Sequence, residues 1–252
     1  MLPGILDITP LELVLIWSIT AAASLLRAFT GFGFALTAVP VFALFFEPTQ
    51  VVVLCTTLVF LLGIQTFPIY RQALDLPKRW PMFAAAIPGT ALGVVLLLWF
   101  EPNQFRLSLG VLTIVASVFL ARFRPRQVIS RPRIASFVGL LAGICNGAFA
   151  VPGPPIIVYV MATEKDPATC RGLMIGYFSF TAVLALCAFT VLGLVDVRSV
   201  LPALLAYPAM YLGDRLGYAA FLRFGAARYR PVAIGLCLLI GVAISVRALL
   251  EA

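Results

Sequence analysis

Residues 143–155 read GICNGAFAVPGPP. The segment lies in one of the most apolar parts of the chain, yet it holds Gly143, Gly147, Gly153, Pro152, Pro154, Pro155 and Asn146. A helix surrounded by lipid must satisfy its backbone hydrogen bonds internally, because hydrocarbon offers no partners. Helix breakers here therefore predict an interruption that is buried in protein or lines a wet cavity.

Composition supplies the lipid. Of 252 residues, 62% are hydrophobic and 11% charged, with a mean hydropathy of +1.08. Soluble domains run at roughly 45–50% apolar and about 25% charged. The chain reads as an all-α integral membrane protein with almost no extramembrane domain. Its net charge of +8 is carried by the connections between apolar runs, which is a topology signal and excludes nucleic acid as a partner. There is no histidine, so the commonest metal ligand and neutral-pH proton shuttle is missing. Cys55, Cys145, Cys170, Cys187 and Cys237 are odd in number and lack CxxC spacing. They read as packing residues rather than a disulfide or metal framework, and no cofactor is expected. The N-terminal stretch MLPGILDITPLE has no basic residue, unlike the start of a cleaved signal.

The apolar runs are 11–29, 34–46, 50–70, 81–99, 104–121, 134–149, 154–162, 170–193, 198–220 and 231–249. A bilayer core of about 30 Å needs roughly 20 helical residues. By that measure 50–70, 81–99, 104–121, 170–193, 198–220 and 231–249 cross, while 34–46 and 154–162 are too short. Each short run follows a breaker-rich segment, TGFGF (Thr30–Phe34) or NGAFAVPGPP (Asn146–Pro155), and the two segments start 116 residues apart. The order of lengths predicts two repeats, 1–125 and 126–252, each a broken helix or hairpin plus three transmembrane helices.

Charge orients them. Arg71, Lys78 and Arg79, then Arg122, Arg124, Arg126, Arg131 and Arg133, then Arg215, Arg223, Arg228 and Arg230 mark cytoplasmic ends by the positive-inside rule. The connections near Glu101 and Asp196, and the N-terminus with Asp7 and Glu12, then face outward. For these sides to alternate, each broken segment makes no net crossing, and the two halves start on opposite sides of the membrane. That is an inverted-topology repeat, as in many secondary transporters, here in a cell's inner membrane.

A break between two half-helices leaves N–H groups unpaired where the second half begins. Those donors and the positive end of the helix dipole bind anions. The competing explanation is packing, since Gly and Pro are frequent in membrane helices. Packing is the preferred reading for Gly139, Gly143 and Gly147 and for Gly89 and Gly93, each set spaced four apart. The breaks themselves are read as binding elements, because both precede runs too short to span. Arg27 lies three residues before TGFGF, and an arginine at membrane depth marks a pathway or counter-ion by default. Substrate contact is preferred for it; the alternatives are snorkelling or a pair with a distant acid such as Asp214. Asp214 and Arg215 themselves read as an interfacial pair near a cytoplasmic end. The candidate substrate-binding residues are Arg27, Thr30, Gly31, Phe32, Gly33, Gln65, Asn146, Gly147, Ala148 and Gly153. Thr56, Thr57 and Ser179 are weaker candidates, expected to bond their own helix backbones.

TGFGFALTAVP (Thr30–Pro40) and NGAFAVPGPP (Asn146–Pro155) resemble the glycine-rich segments of the sulfite exporter TauE/SafE family, part of the 4-toluenesulfonate uptake permease group. The resemblance covers almost the whole chain in layout. The second segment departs from it with Ala148 and Ala150, where glycine is commoner. The resemblance implies movement of small anions such as sulfite, sulfonates or related organic acids across the cytoplasmic membrane.

The expected function is a secondary transporter for a small organic or sulfur-containing anion, working by alternating access, and not an enzyme. An anion channel with the same central site is the alternative. The coupling ion stays open between a proton, sodium and none, because the long runs hold no acid near their middles. The anion, the direction and the oligomeric state, a homodimer included, are left open at this level. The partners expected are the anion and the lipid bilayer.

Overall fold

A computed structural model of the chain describes residues 9–30, 33–71, 76–122, 129, 131–224 and 226–250. They form ten helices: α1 (Pro10–Thr30), α2 (Phe34–Phe42), α3 (Pro48–Tyr70), α4 (Leu76–Trp99), α5 (Pro102–Arg122), α6 (Pro132–Phe149), α7 (Gly153–Thr163), α8 (Pro167–Val191), α9 (Val197–Phe224) and α10 (Ala226–Leu250). No strand occurs among the described residues. Each predicted run corresponds to one helix.

Local chemistry sets the boundaries. Prolines open α3, α6, α7 and α8 within their first two positions, where a missing N–H costs nothing. Thr9 and Glu12 form a reciprocal cap on α1: the Thr9 N–H donates to Glu12 Oε2 at 2.8 Å and the Glu12 N–H to Thr9 Oγ1 at 3.2 Å. Asp166 caps α8. The Thr169 hydroxyl and N–H both donate to Asp166 Oδ2, which holds its carboxyl below the usual carboxylate range.

Among the described residues six helices are long and apolar enough to cross a membrane: α1, α3, α4, α5, α6 and α8. This adds α1 and α6 to the expected set and, among the described residues, leaves α9 out of it. α9 is 28 residues long but includes Asp214, Arg215 and Arg223, and the described apolar part of α10 is 235–250. α2 and α7, at nine and eleven residues, cover only about half of a ~30 Å core. α2 also stops at Phe42 rather than at 46. The carbonyls just beyond it turn out to two arginines: Arg106 Nε donates to Ala43 O at 2.9 Å, and Arg247 Nη1 donates to Leu44 O.

The most extensive packings are α4 on α6, α1 on α9, α5 on α10 and α3 on α8. Exchanging α1–α5 with α6–α10 in order turns the first pair into the second and returns the other two to themselves. Small residues allow the close approach. A Cβ on Gly143 would sit 2.7 Å from Ala86 O and 2.9 Å from Thr90 N. Gly139 and Gly147 meet α4 backbone in the same way, and Gly89 and Gly93 meet α6, so the packing expected of these five glycines is present. Gly213 and Gly217 abut α1, Gly110 and Gly241 lie at the α5–α10 contact, and Gly63 faces Ser179 between α3 and α8.

Candidate functional site

The two interruptions meet at one cavity. Gly33 and Phe34–Leu36, at the start of α2, line it together with Val151–Pro154, at the start of α7. Its volume is about 50 Å³, room for a few waters or one compact solute at ~10–15 Å³ per water. The floor comes from α3 and α8: Val59 and Ile175, Leu62 and Phe178, Gly63 and Ser179. Members of each of these pairs stand 116 residues apart.

The breaks use different backbone devices. Gly33 has φ +114°, open to glycine and strained for any side chain. α6 ends on Ala150 at φ +54°, where its N–H bonds back to Asn146 O at 2.8 Å and the Val151 N–H reaches Cys145 O at 3.3 Å. The donors differ as well. No side chain caps α2, so Phe34, Ala35 and Leu36 offer first-turn N–H groups that lack intrahelical acceptors. In α7 the cap is Pro152, and Pro154 and Pro155 follow Gly153, so Gly153 has the single N–H of that turn. Proline starts a helix well because it has no N–H to satisfy, and for the same reason it offers none to an anion.

Arg27 sits in the last turn of α1, is 4% exposed and forms part of the cavity wall. Its Nη2 donates to Asp214 Oδ1 of α9 at 2.7 Å. Its Nε is buried without a partner among the described residues. Thus Arg27 has the distant acid considered for it and borders the cavity too. Asp214 is not paired with Arg215, contrary to expectation. Arg215 donates from Nη2 to Tyr211 Oη at 2.8 Å and lies over that ring. One residue apart on a helix, the two side chains point about 100° away from one another. Nor is Asp214 at a helix end, since α9 continues to Phe224; an acid does lie within a long helix.

The sequence profile of the family described as Sulfite exporter TauE/SafE matches residues 16–244, from within α1 to within α10. The chain belongs to the sulfite exporter TauE/SafE family. A TauE/SafE protein is a membrane transporter rather than an enzyme, and the multi-pass helical architecture agrees with that. A curated protein of Cupriavidus necator, named "Probable sulfite/organosulfonate exporter TauE", is 25% identical over 250 residues, covering 95% of this chain and 96% of that protein. No solved structure matches the chain.

Within this TauE/SafE chain the other candidates are placed as follows. Gly33 and Gly153 line the cavity with Arg27. Gly31 and Phe32 lie outside the described residues, and Thr30 closes α1. Asn146 is buried, and its amide donates to Thr181 O of α8 at 2.9 Å instead of facing the cavity. Gly147 and Ala148 pack against α4. Gln65 accepts from the Tyr207 hydroxyl at 3.4 Å, away from the cavity. Thr57 and Ser179 bond their own helices, as expected. The hydroxyl of Thr56 is buried with no partner among the described residues. Not foreseen were Gly63 and the apolar floor; the 116-residue offset between the halves was the signal that pointed to them. Among the described residues no group of three His, Cys, Asp or Glu side chains is placed to hold a metal ion.

Proposed function

We propose that the protein exports a small sulfur-containing anion, sulfite or an organosulfonate, across the inner membrane by alternating access. The observation that carries this is the convergence of both interruptions and a buried arginine on one cavity. A cation at this depth costs several kcal/mol unless compensated. Asp214 compensates Arg27. An anion in the cavity would meet the free Nε and the first-turn amides of α2, which are charge-assisted donors in a setting with little water. The solute class is carried over from the family description and the relative's name, and the compact cavity suits it.

The two halves, 1–125 and 126–252, would rock around the cavity as inverted repeats. The exchange relation among helix packings and the 116-residue offset of the floor residues support this. The arginine-rich connections support an outward N-terminus. Flux of sulfite in proteoliposomes is the test. The wild type should show saturable flux, and Arg27→Ala should lower it about a hundredfold or more, for the loss of about 3 kcal/mol of charge-assisted contact. Unchanged flux in a folded Arg27→Ala protein removes Arg27 from the site. A wild type moving none of sulfite, methanesulfonate or taurine removes the substrate class. Imposed pH and sodium gradients identify the coupling ion.

A further inference from the structure

Three arginines within apolar spans have a buried Nε with no partner among the described residues: Arg27, Arg79 and Arg171. Two are neutralised by acids, Arg27 by Asp214 at 2.7 Å and Arg79 by Glu164 at 2.5 Å. Arg171 has no carboxylate within ion-pairing distance among the described residues. It is partly buried, early in α8 and inside the span Ala168–Val191. Ile175, Phe178 and Ser179 follow it at i+4, i+7 and i+8, so all four share one helix face, and those three line the cavity. Arg171 thus stands about 6 Å along the helix from the cavity floor. In the first half the position 116 residues earlier is the fully buried Cys55, so the cation has no counterpart there.

A guanidinium in this setting lacks only an anion. We propose that Arg171 is the outer binding station for the transported anion at the α7–α8 end of the cavity, from which the solute passes inward to Arg27. This rests on the reading of the chain as an anion transporter. By the arginine-rich connections that end is cytoplasmic, the side from which an exporter collects its solute.

The test is the initial rate of sulfite flux in proteoliposomes against sulfite concentration, at low and high ionic strength. Steering by a charge at the mouth raises capture by roughly tenfold or more and fades with salt. The wild-type KM should therefore rise with ionic strength. Arg171→Gln should raise KM about tenfold at low salt, leave the maximal rate within about twofold, and flatten the salt dependence. Arg171→Lys should keep most of that dependence. A wild-type KM indifferent to salt overturns the proposal without any variant. So does a folded Arg171→Gln protein with wild-type KM and salt response, the result expected if Arg171 holds a lipid phosphate instead. A wild type with no anion flux at all fails earlier, at the transporter reading.

Discussion

Among the described residues Arg27 has one ion-pair partner, Asp214, and a buried Nε without a partner, and that division frames what its partner does. On the proposed reading, Asp214 and a bound anion would compete for the same guanidinium. Asp214→Asn removes the resident charge and leaves Arg27 buried and uncompensated, which costs about 3–5 kcal/mol for a buried pair broken on one side. The expected result is a lower melting temperature without ligand and a larger thermal shift with sulfite, because the anion then replaces a missing charge. An equal drop with and without sulfite would mean that Asp214 and the solute do not share Arg27. Ala150 makes a second residue-scale prediction. At φ +54° it occupies a conformation that costs an L side chain about 1–2 kcal/mol. Ala150→Gly should stabilise the protein by roughly 1 kcal/mol after the glycine's own entropy is counted, read as a raised melting temperature in detergent. A lowered one would mean that the methyl packing of this buried residue outweighs its strain.

Among elements, the decisive pair is the two half-helices. α2 and α7 are too short to span, and each starts at the cavity, directly after an interruption. They are held there by their neighbours, α6 by α4 and α1 by α9, through glycine contacts. Gly143→Val would put a branched side chain against the backbone of α4, with Ala86 O 2.7 Å from the Cβ. Forcing those helices apart should cost about 1–3 kcal/mol, seen as a lower melting temperature. A neutral result would show that the α4–α6 contact has slack the glycine spacing does not suggest. The breaks were legible from composition alone, because glycine and proline in an apolar run have few other uses. The unequal donor count, with one N–H in the first turn of α7, was legible too: Pro152, Pro154 and Pro155 carry none in any fold.

For the whole molecule, the exchange relation among the helix packings matches a duplicated chain, and inverted orientation is the form that agrees with the charge distribution. Cysteine labelling tests it. In a chain stripped of its five native cysteines, a cysteine at Glu101 should react with an impermeant maleimide in intact cells, and one at Arg131 only after permeabilisation. Both reacting from one side would end the inverted arrangement. The expected crossing set differed at α9 for a reason that belongs to this scale. Length and apolarity rank a helix alone, whereas Asp214 inside α9 is tolerated because Arg27 of another helix neutralises it.

By itself, the sequence determined the membrane class, the ten apolar runs that became helices, and the two interruptions. Each depends on local composition or on a periodicity along the chain, and lipid as a solvent makes those signals strong. Tertiary structure decided the rest. Arg27 and Asp214 are 187 residues apart, so no spacing rule joins them. Asn146 and Gly147 look like cavity residues by position, yet they face α8 and α4, because a helix presents every side of itself and only packing selects the side that meets the solute. The cavity exists because five segments converge on it, and that convergence is a property of distance in space, which the order of residues along a chain does not contain.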